Sequence, residues 1–381
     1  MKVEHLIMTP GPTMVNEEVR RAASLPLTNP DLDPEFPSFY QDLCSKLGSL
    51  MATKNDVIIL SGEGMLGLEA AIASFIEPHE KVLCFVNGVF GRGLADFVKM
   101  YGATPVLFEK DFNDPFTEQE AKQFCADHPD AKVATLVHCE TPSALLNPVQ
   151  EIGPALKQAG VLSIVDAVSS LGGEPVDVDQ NKLDVVIGAS QKCLSAPPGL
   201  AFLSISENGW DKIRNRKTAI LNYYLNLDLW RNIWIEKKSF PYTQSTSNLQ
   251  ALHAAVEKLI QEGNRAYHRH ARCAAAVRET LNECGFSLYT PEQHASNTVT
   301  TFGIPENLDD CEFRNHLWNS YQVMMAGSLG SLNGKFWRIG HMGENAREDY
   351  LFHFFRAFEK ALIDFGHPLS ELTSTVFSKT I

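Results

Sequence analysis

The chain has 381 residues and carries 33 lysines and arginines against 46 aspartates and glutamates, a formal net charge of −13. Hydrophobic residues make up 44% and charged residues 21%, which supports a large core and excludes wholesale disorder. An acidic balance of this size argues against nucleic acid or an anionic membrane as partner, since both need a basic face.

No apolar run approaches a membrane span, and the N-terminus lacks the apolar stretch of a signal peptide, so a cytoplasmic protein is expected. The eight cysteines are scattered without a CxxC pair, which predicts reduced thiols and no metal site. Residues 1–15, with Pro10-Gly11-Pro12, read as an extended segment. From about residue 56, short β-rich runs alternate with amphipathic stretches. Strands are predicted at 57–60, 82–86, 105–108, 133–137, 162–165, 185–187 and 200–205. Helical spacing falls between them at 68–76, 94–100, 118–126 and 152–159. This alternation, with nearly continuous apolar strands, predicts an α/β domain over 16–262 whose mostly parallel sheet is covered on both faces.

After about residue 260 the pattern changes. A long helix is predicted at 264–284, then strands at 298–302, 323–325 and 336–339, with helices at 309–321 and 346–365. Residues 263–381 therefore read as a smaller α+β domain whose last 14 or so polar residues are expected to be loose.

In parallel sheets ligands sit beyond the carboxyl ends of the strands, so chemistry is sought in the loops that follow them. Gly62-Glu63-Gly64-Met65-Leu66-Gly67 fits GxGxxG, but the next strand ends Val86-Asn87-Gly88 without the acid a dinucleotide fold needs. What survives is a glycine-rich turn opening a helix, an anion cup of backbone N–H groups. More informative are Asp166, at the end of one hydrophobic strand, and Lys192, just after another. Two strand ends of one parallel sheet bring an acid and an amine to one crevice. A pyridoxal-type carbonyl needs that pair: the amine to form a Schiff base, the carboxylate to keep the pyridine nitrogen protonated. A buried structural ion pair would give the same spacing.

Two stretches carry a wider resemblance: Val165-Asp166-Ala167-Val168-Ser169-Ser170 and Ser190-Gln191-Lys192-Cys193-Leu194-Ser195-Ala196-Pro197-Pro198-Gly199. With them the chain resembles the class V aminotransferases of fold type I, in the branch of the alanine–glyoxylate enzymes, from Pro10-Gly11-Pro12 to Arg338-Ile339-Gly340. The resemblance implies roles. Lys192 matches the catalytic Schiff-base lysine and Asp166 the pyridine partner. Phe90 matches the residue stacked on the ring, and Thr141 the hydroxyl near the ring oxygen, in a loop where the usual glycine is Ala144. Glu63, Gly64, Met65, Val168, Gln191 and Thr243 fall at cofactor-binding positions, Thr243 reaching the site of a partner subunit. Arg338 matches the arginine that grips the substrate carboxylate, with Gly11 close by. The family builds each site from two subunits, which implies at least a homodimer, or a dimer of dimers.

The cup departs from the family pattern. Glu63 stands where relatives place a small hydroxyl or glycine-like residue beside the 5′-phosphate, and Phe240 where a tyrosine is usual. These departures are similar to those of relatives that take pyridoxamine as a substrate, although a loop arginine of theirs is here Leu329. The likeness implies that pyridoxamine gives its amine to a 2-oxo acid, pyruvate becoming L-alanine and pyridoxal being released, as in vitamin B6 degradation. The alternative is an ordinary enzyme of the alanine- or serine–glyoxylate kind that holds pyridoxal 5′-phosphate.

Overall fold

The computed structural model describes residues 5–367, 369 and 371–381. Seven strands form its central sheet: β1 (Asp56–Ser61), β2 (Lys81–Val86), β3 (Thr104–Glu109), β4 (Val133–Val137), β5 (Leu162–Asp166), β6 (Val185–Ala189) and β7 (Leu200–Ile205). Their order is β1-β7-β6-β5-β4-β2-β3. Every residue of β4, β5, β6 and β7 is buried, the signature of strands covered on both faces.

The sheet is parallel except for β7, which runs antiparallel to both β1 and β6. The connection 190–199 contains no helix. Without a crossover the chain cannot return to the start of the sheet, so β7 must run backwards. The turn that carries Lys192 is therefore a direct β6–β7 connection.

The large core gathers residues from Val19 to Ala266, and the helices Phe36–Leu50 and Thr246–Glu262 close it beside the sheet. A second core draws on the helices Arg265–Glu283, Asp310–Tyr321 and Glu348–Asp364 and on a three-stranded antiparallel sheet. Leu6 and Met8 are buried in that second core, because Leu6–Ile7 pairs in parallel with Val323–Met324. The N-terminal segment is thus anchored on the small domain before it crosses to the lysine turn, where Thr13 N donates to Gln191 O at 3.2 Å.

The expectation of a loose tail is corrected. Thr373–Thr380 is a helix, with Val376 and Phe377 buried and the Phe377 ring 5.2 Å from that of Phe355. Thr373 and Ser374 fix its start by hydrogen bonds to the buried Glu359 carboxylate and the Phe355 carbonyl.

Candidate active site

Asp166 is the last residue of β5, in register with Val137 of β4 and Ile187 of β6. It is 5% exposed, and its Oδ1 accepts from Val168 N at 2.9 Å. Burial pushes its carboxyl up to about 6, against the pull of the Val168 N–H and the nearby Lys192, while the Glu63 charge adds to the rise. Lys192 lies in the turn after β6. Burial draws its ammonium below the ordinary lysine range, Arg338 adds to this, and Asp166 opposes it. Among the described residues the two groups form no ion pair; Lys192 Nζ donates instead to Pro10 O at 2.6 Å. A closed structural pair is therefore not what holds the acid and the amine in one crevice.

Gly11 lets the N-terminal segment lie on the lysine. Its φ is +91°, and a Cβ there would overlap Lys192 Cδ and stand 2.9 Å from Nζ. Only glycine meets both conditions.

Phe90 opens the helix Val89–Met100, whose N-cap is Gly88. Sequence reasoning missed what fixes it. The fully buried Glu140 accepts from Phe90 N at 3.1 Å and Gly91 N at 2.6 Å, so its carboxylate caps the helix from the next loop. Burial pushes the Glu140 carboxyl up to about 7 against those two N–H groups, and Asp166 contributes to the rise. A Cβ on Gly88 would overlap the Glu140 carboxyl carbon. The available signal was an acid set between an apolar strand and Thr141-Pro142, facing glycines at 88 and 91.

Thr141 follows in the hairpin Cys139–Glu140 and Leu145–Leu146. It is buried, and among the described residues its hydroxyl has no hydrogen bond. Ala144, where the family has glycine, keeps the left-handed backbone with φ +66°. Such a conformation costs a non-glycine residue roughly 1 kcal/mol.

The helix Gly64–Phe75 presents its N-terminus to the same crevice, and Glu63 is its N-cap. Glu63 Oε1 accepts from Met65 N at 3.1 Å, and Oε2 accepts from Gln191 Nε2 at 3.1 Å. The carboxylate thus takes up an N–H of the cup and leans toward the lysine turn. Gln191 is buried, and its own carbonyl oxygen has no partner among the described residues. A Cβ on Gly64 would stand 3.1 Å from both Val168 methyls, which presses the helix start against the Asp166 loop. Met65 is 39% exposed at the rim. Phe240 packs among Phe36, Tyr40 and Trp234, with ring centroids 5.0–5.5 Å away. Thr243 is exposed, and its side chain meets no hydrogen-bonding partner among the described residues of its own chain.

Arg338 sits on the strand Phe336–Ile339, paired with Thr301 and Ala326. It is 7% exposed, its Nε donates to Gly327 O at 2.8 Å, and no carboxylate among the described residues pairs with it. Burial, helped by Arg314, pulls it down to about 10. A buried guanidinium with both terminal nitrogens uncommitted is a receptor for a carboxylate. His341 nearby is bonded to Thr300 Oγ1 and Asn297 O, and burial pulls it down to about 3, which keeps it a neutral packing residue.

These groups fit a pyridoxal ring. A carboxylate stands for the pyridine nitrogen, an amine for the aldehyde carbon, an aromatic residue beside them for the ring face, and an arginine for the carboxylate of a reacting acid. Among the described residues no cluster of His, Cys, Asp and Glu could hold a metal ion.

Comparison with known proteins agrees with this chemistry. The family profile Aminotransferase class-V matches residues 32–331. An uncharacterized aminotransferase of Methanocaldococcus jannaschii is 38% identical, over 90% of this chain and 88% of its own length. The pyridoxamine–pyruvate transaminase of Mesorhizobium japonicum is 34% identical, over 91% and 88%. The crystal structure of the ureidoglycine–glyoxylate aminotransferase of Bacillus subtilis superposes with a TM-score of 0.95 at 30% identity, covering 100% of this chain and 98% of that one. The fold is that of the fold type I aminotransferases, and the chain belongs to the class V aminotransferase family.

Proposed function

We propose that the protein moves the amino group of pyridoxamine to a 2-oxo acid, with pyruvate as the reference acceptor, giving pyridoxal and L-alanine. The observation that carries this reading is Glu63, an acid in the N–H cup with one oxygen on Met65 N and the other on Gln191. A carboxylate there repels a phosphate ester and accepts a hydrogen bond from the 5′-hydroxyl of an unphosphorylated vitamer. The 34% identical pyridoxamine–pyruvate transaminase lends support from outside the site.

When bound, the pyridine ring supplies an electron sink. The chain supplies the rest. Asp166 holds the proton at the pyridine nitrogen. Lys192 Nζ, kept less basic by burial and by Arg338, captures the aldehyde carbon and moves a proton between C4′ and the amino acid Cα. Phe90, held by Glu140, covers one ring face, and Thr141 offers its hydroxyl to the ring oxygen. Arg338 grips the carboxylate and so aligns the Cα proton with Lys192. Thr243, exposed on its own chain, reaches the cup of a second copy, so the working unit is at least a homodimer. No helix of the described residues is long and apolar enough to cross a membrane. The partners are small molecules, and the protein acts in the cytoplasm.

A second reading keeps one observation in its favour: the helix start at Gly64 is an anion cup in its own right. It makes the protein a pyridoxal 5′-phosphate enzyme of the alanine- or serine–glyoxylate kind. The test is to mix phosphate-free protein with pyridoxamine and pyruvate alone. Pyridoxal and L-alanine should accumulate in equal amounts. If turnover requires added pyridoxal 5′-phosphate, the second reading holds.

A further inference from the structure

Ser195 lies three residues after Lys192, in the same turn. Its backbone is left-handed, with φ +54°, a region sparsely populated by residues other than glycine. Its amide donates to Lys192 O at 2.9 Å. Its hydroxyl oxygen accepts from Thr13 Oγ1 at 2.9 Å and from Glu344 N at 2.7 Å, and its own proton faces Lys192 O at 3.5 Å. Ser195 and Thr13 are both buried, so water is no ready substitute for either.

These three residues belong to three separate parts of the chain. Thr13 follows the segment whose Pro10 carbonyl holds Lys192 Nζ. Glu344 follows the strand that carries Arg338, across the turn at Gly343. That turn is pressed onto the lysine loop: Gly343 has φ +57°, and a Cβ there would overlap Ser195 Oγ and stand 2.6 Å from Cys193 O. The turn is itself braced, since Gly343 N donates to His270 Nε2 at 2.8 Å and Arg269 Nη1 donates to Gly343 O at 2.8 Å. The Glu344 carboxylate is tied to Lys258, Arg347 and Asn16. A braced turn transmits displacement rather than absorbing it.

We infer that the Ser195 hydroxyl is a positioning residue that couples Arg338, which receives the substrate carboxylate, to the amine of Lys192. This rests on Lys192 being the amine that captures the vitamer and is independent of which vitamer that is. A serine kept only for its size would be served as well by alanine, which avoids no strain but fills the same space. The hydroxyl is needed because without it the Glu344 N–H is buried with no acceptor.

The test compares wild type with Ser195→Ala and Ser195→Gly. One readout is the pH profile of Lys192 acylation in the ligand-free chain, followed by peptide mass spectrometry. The groups acting on Lys192 are Arg338, Asp166, Cys193 and Cys139. Loosening Arg338 should move the profile upward in both variants. The second readout is a rise of roughly fivefold to tenfold in KM for pyruvate that exceeds the fall in kcat, the size of one lost buried hydrogen bond. Glycine relieves the left-handed backbone, so recovery of wild-type behaviour in Ser195→Gly overturns the inference, as does an unchanged profile with unchanged KM in both variants. If neither variant folds, Thr13→Val removes the donor from the other side and should shift both readouts in the same direction; no shift overturns the inference. Borohydride reduction of wild type with pyridoxal separates the two claims. Labelling at a lysine other than 192 sinks the assignment of Lys192, whereas labelling at 192 without a shift in the variants sinks the role of Ser195 alone.

Discussion

On the proposed reading Glu63 selects the vitamer, and the size of that effect follows from charge and distance. Its carboxylate spans Met65 N and Gln191 Nε2, both at 3.1 Å, and a phosphate oxygen accepting from the N–H groups of the same cup would lie on the order of 4 Å from it. Two unit charges at ~4 Å repel by about 4 kcal/mol at an effective dielectric near 20 and by about 1 kcal/mol in bulk water. Glu63 is exposed, which favours the lower part of that range. The near-double charge of a phosphate ester pushes the value up again. A penalty of about 2 kcal/mol follows, roughly 30-fold in Kd. The perturbation is Glu63→Ser, which removes the charge yet keeps a residue favoured at a helix N-cap, so the helix Gly64–Phe75 stays capped. Glu63→Gln removes the charge and keeps the shape. Fluorescence or absorbance titration gives the dissociation constants of pyridoxal and of its phosphate ester for all three proteins. Wild type should prefer pyridoxal, and Glu63→Ser should reverse the preference. Glu63→Gln should fall between them. Equal or tighter binding of the phosphate ester by wild type, with little change on substitution, refutes the reasoning and leaves the phosphate-using aminotransferase.

Arg338→Met should raise KM for pyruvate by roughly 10- to 150-fold, the loss of about 1.5–3 kcal/mol of charged hydrogen bonding, and should change pyridoxal binding far less. Because the guanidinium is buried without a carboxylate partner among the described residues, the same variant should hold or raise the melting temperature, which calorimetry reads directly. Glu140→Gln keeps an acceptor for one of the N–H groups of Phe90 and Gly91 and turns an amide N–H toward the other; it should weaken pyridoxal binding about 10-fold and spare KM for pyruvate, as steady-state kinetics will show. For pH, burial pulls His138 and His270 down to about 4 and His341 to about 3, so the stability they contribute is present above about pH 6.5 and lost as the pH falls. Glu140 and Asp166, raised to about 7 and 6, and Glu174, also raised by burial, act the opposite way and gain stability as they protonate, which offsets the histidines above the ordinary carboxylate range. Below about pH 4.5 that gain is complete, while Glu262, Asp310 and Glu344, held low by their cationic partners, lose stability, so the melting temperature should fall there, and a rise would contradict this balance.

How much of this was legible in sequence depends on the distance over which each feature is determined. Asp166 and Lys192 could be read because an apolar run followed by one charged residue marks a strand end, and neighbouring strand ends share a crevice. The direction of β7 could not be read from its own residues, which are as uniformly apolar as those of β6; it follows from the lack of a helix in 190–199. The helix Phe36–Leu50 has a buried face at helical spacing, but Pro37 at its start reads equally as a turn. The helix Thr373–Thr380 buries Val376 and Phe377 among polar residues, too few apolar positions to define a period. Glu140 caps a helix that begins some fifty residues earlier, and Ser195 accepts from Thr13 and Glu344. Contacts of this kind are set by topology, and no local pattern encodes them.

The unpaired charges of the site share one logic. Among the described residues, Arg338 is buried without a carboxylate, Asp166 is buried with one N–H and no cation in contact, and the amine of Lys192 rests on a carbonyl. Each arrangement costs stability, because a buried charge recovers its desolvation only through a matched partner. Pairing Asp166 directly with Lys192 would have lowered that cost, and the fold does not do so. The partners that would complete each group are those of the reaction: a protonated pyridine for Asp166, an aldehyde carbon for Lys192 and a carboxylate for Arg338. A site assembled this way binds its ligands with interactions the chain has not already satisfied internally. Ligand binding must therefore stabilise the fold, by an amount that grows with the logarithm of ligand concentration over Kd. Saturating pyridoxal and pyruvate together should raise the melting temperature of wild type more than either alone. The increment from pyruvate should vanish in Arg338→Met while the increment from pyridoxal persists. Equal increments from pyruvate in both proteins would mean that the acid is held elsewhere, and that the uncommitted guanidinium has a different purpose.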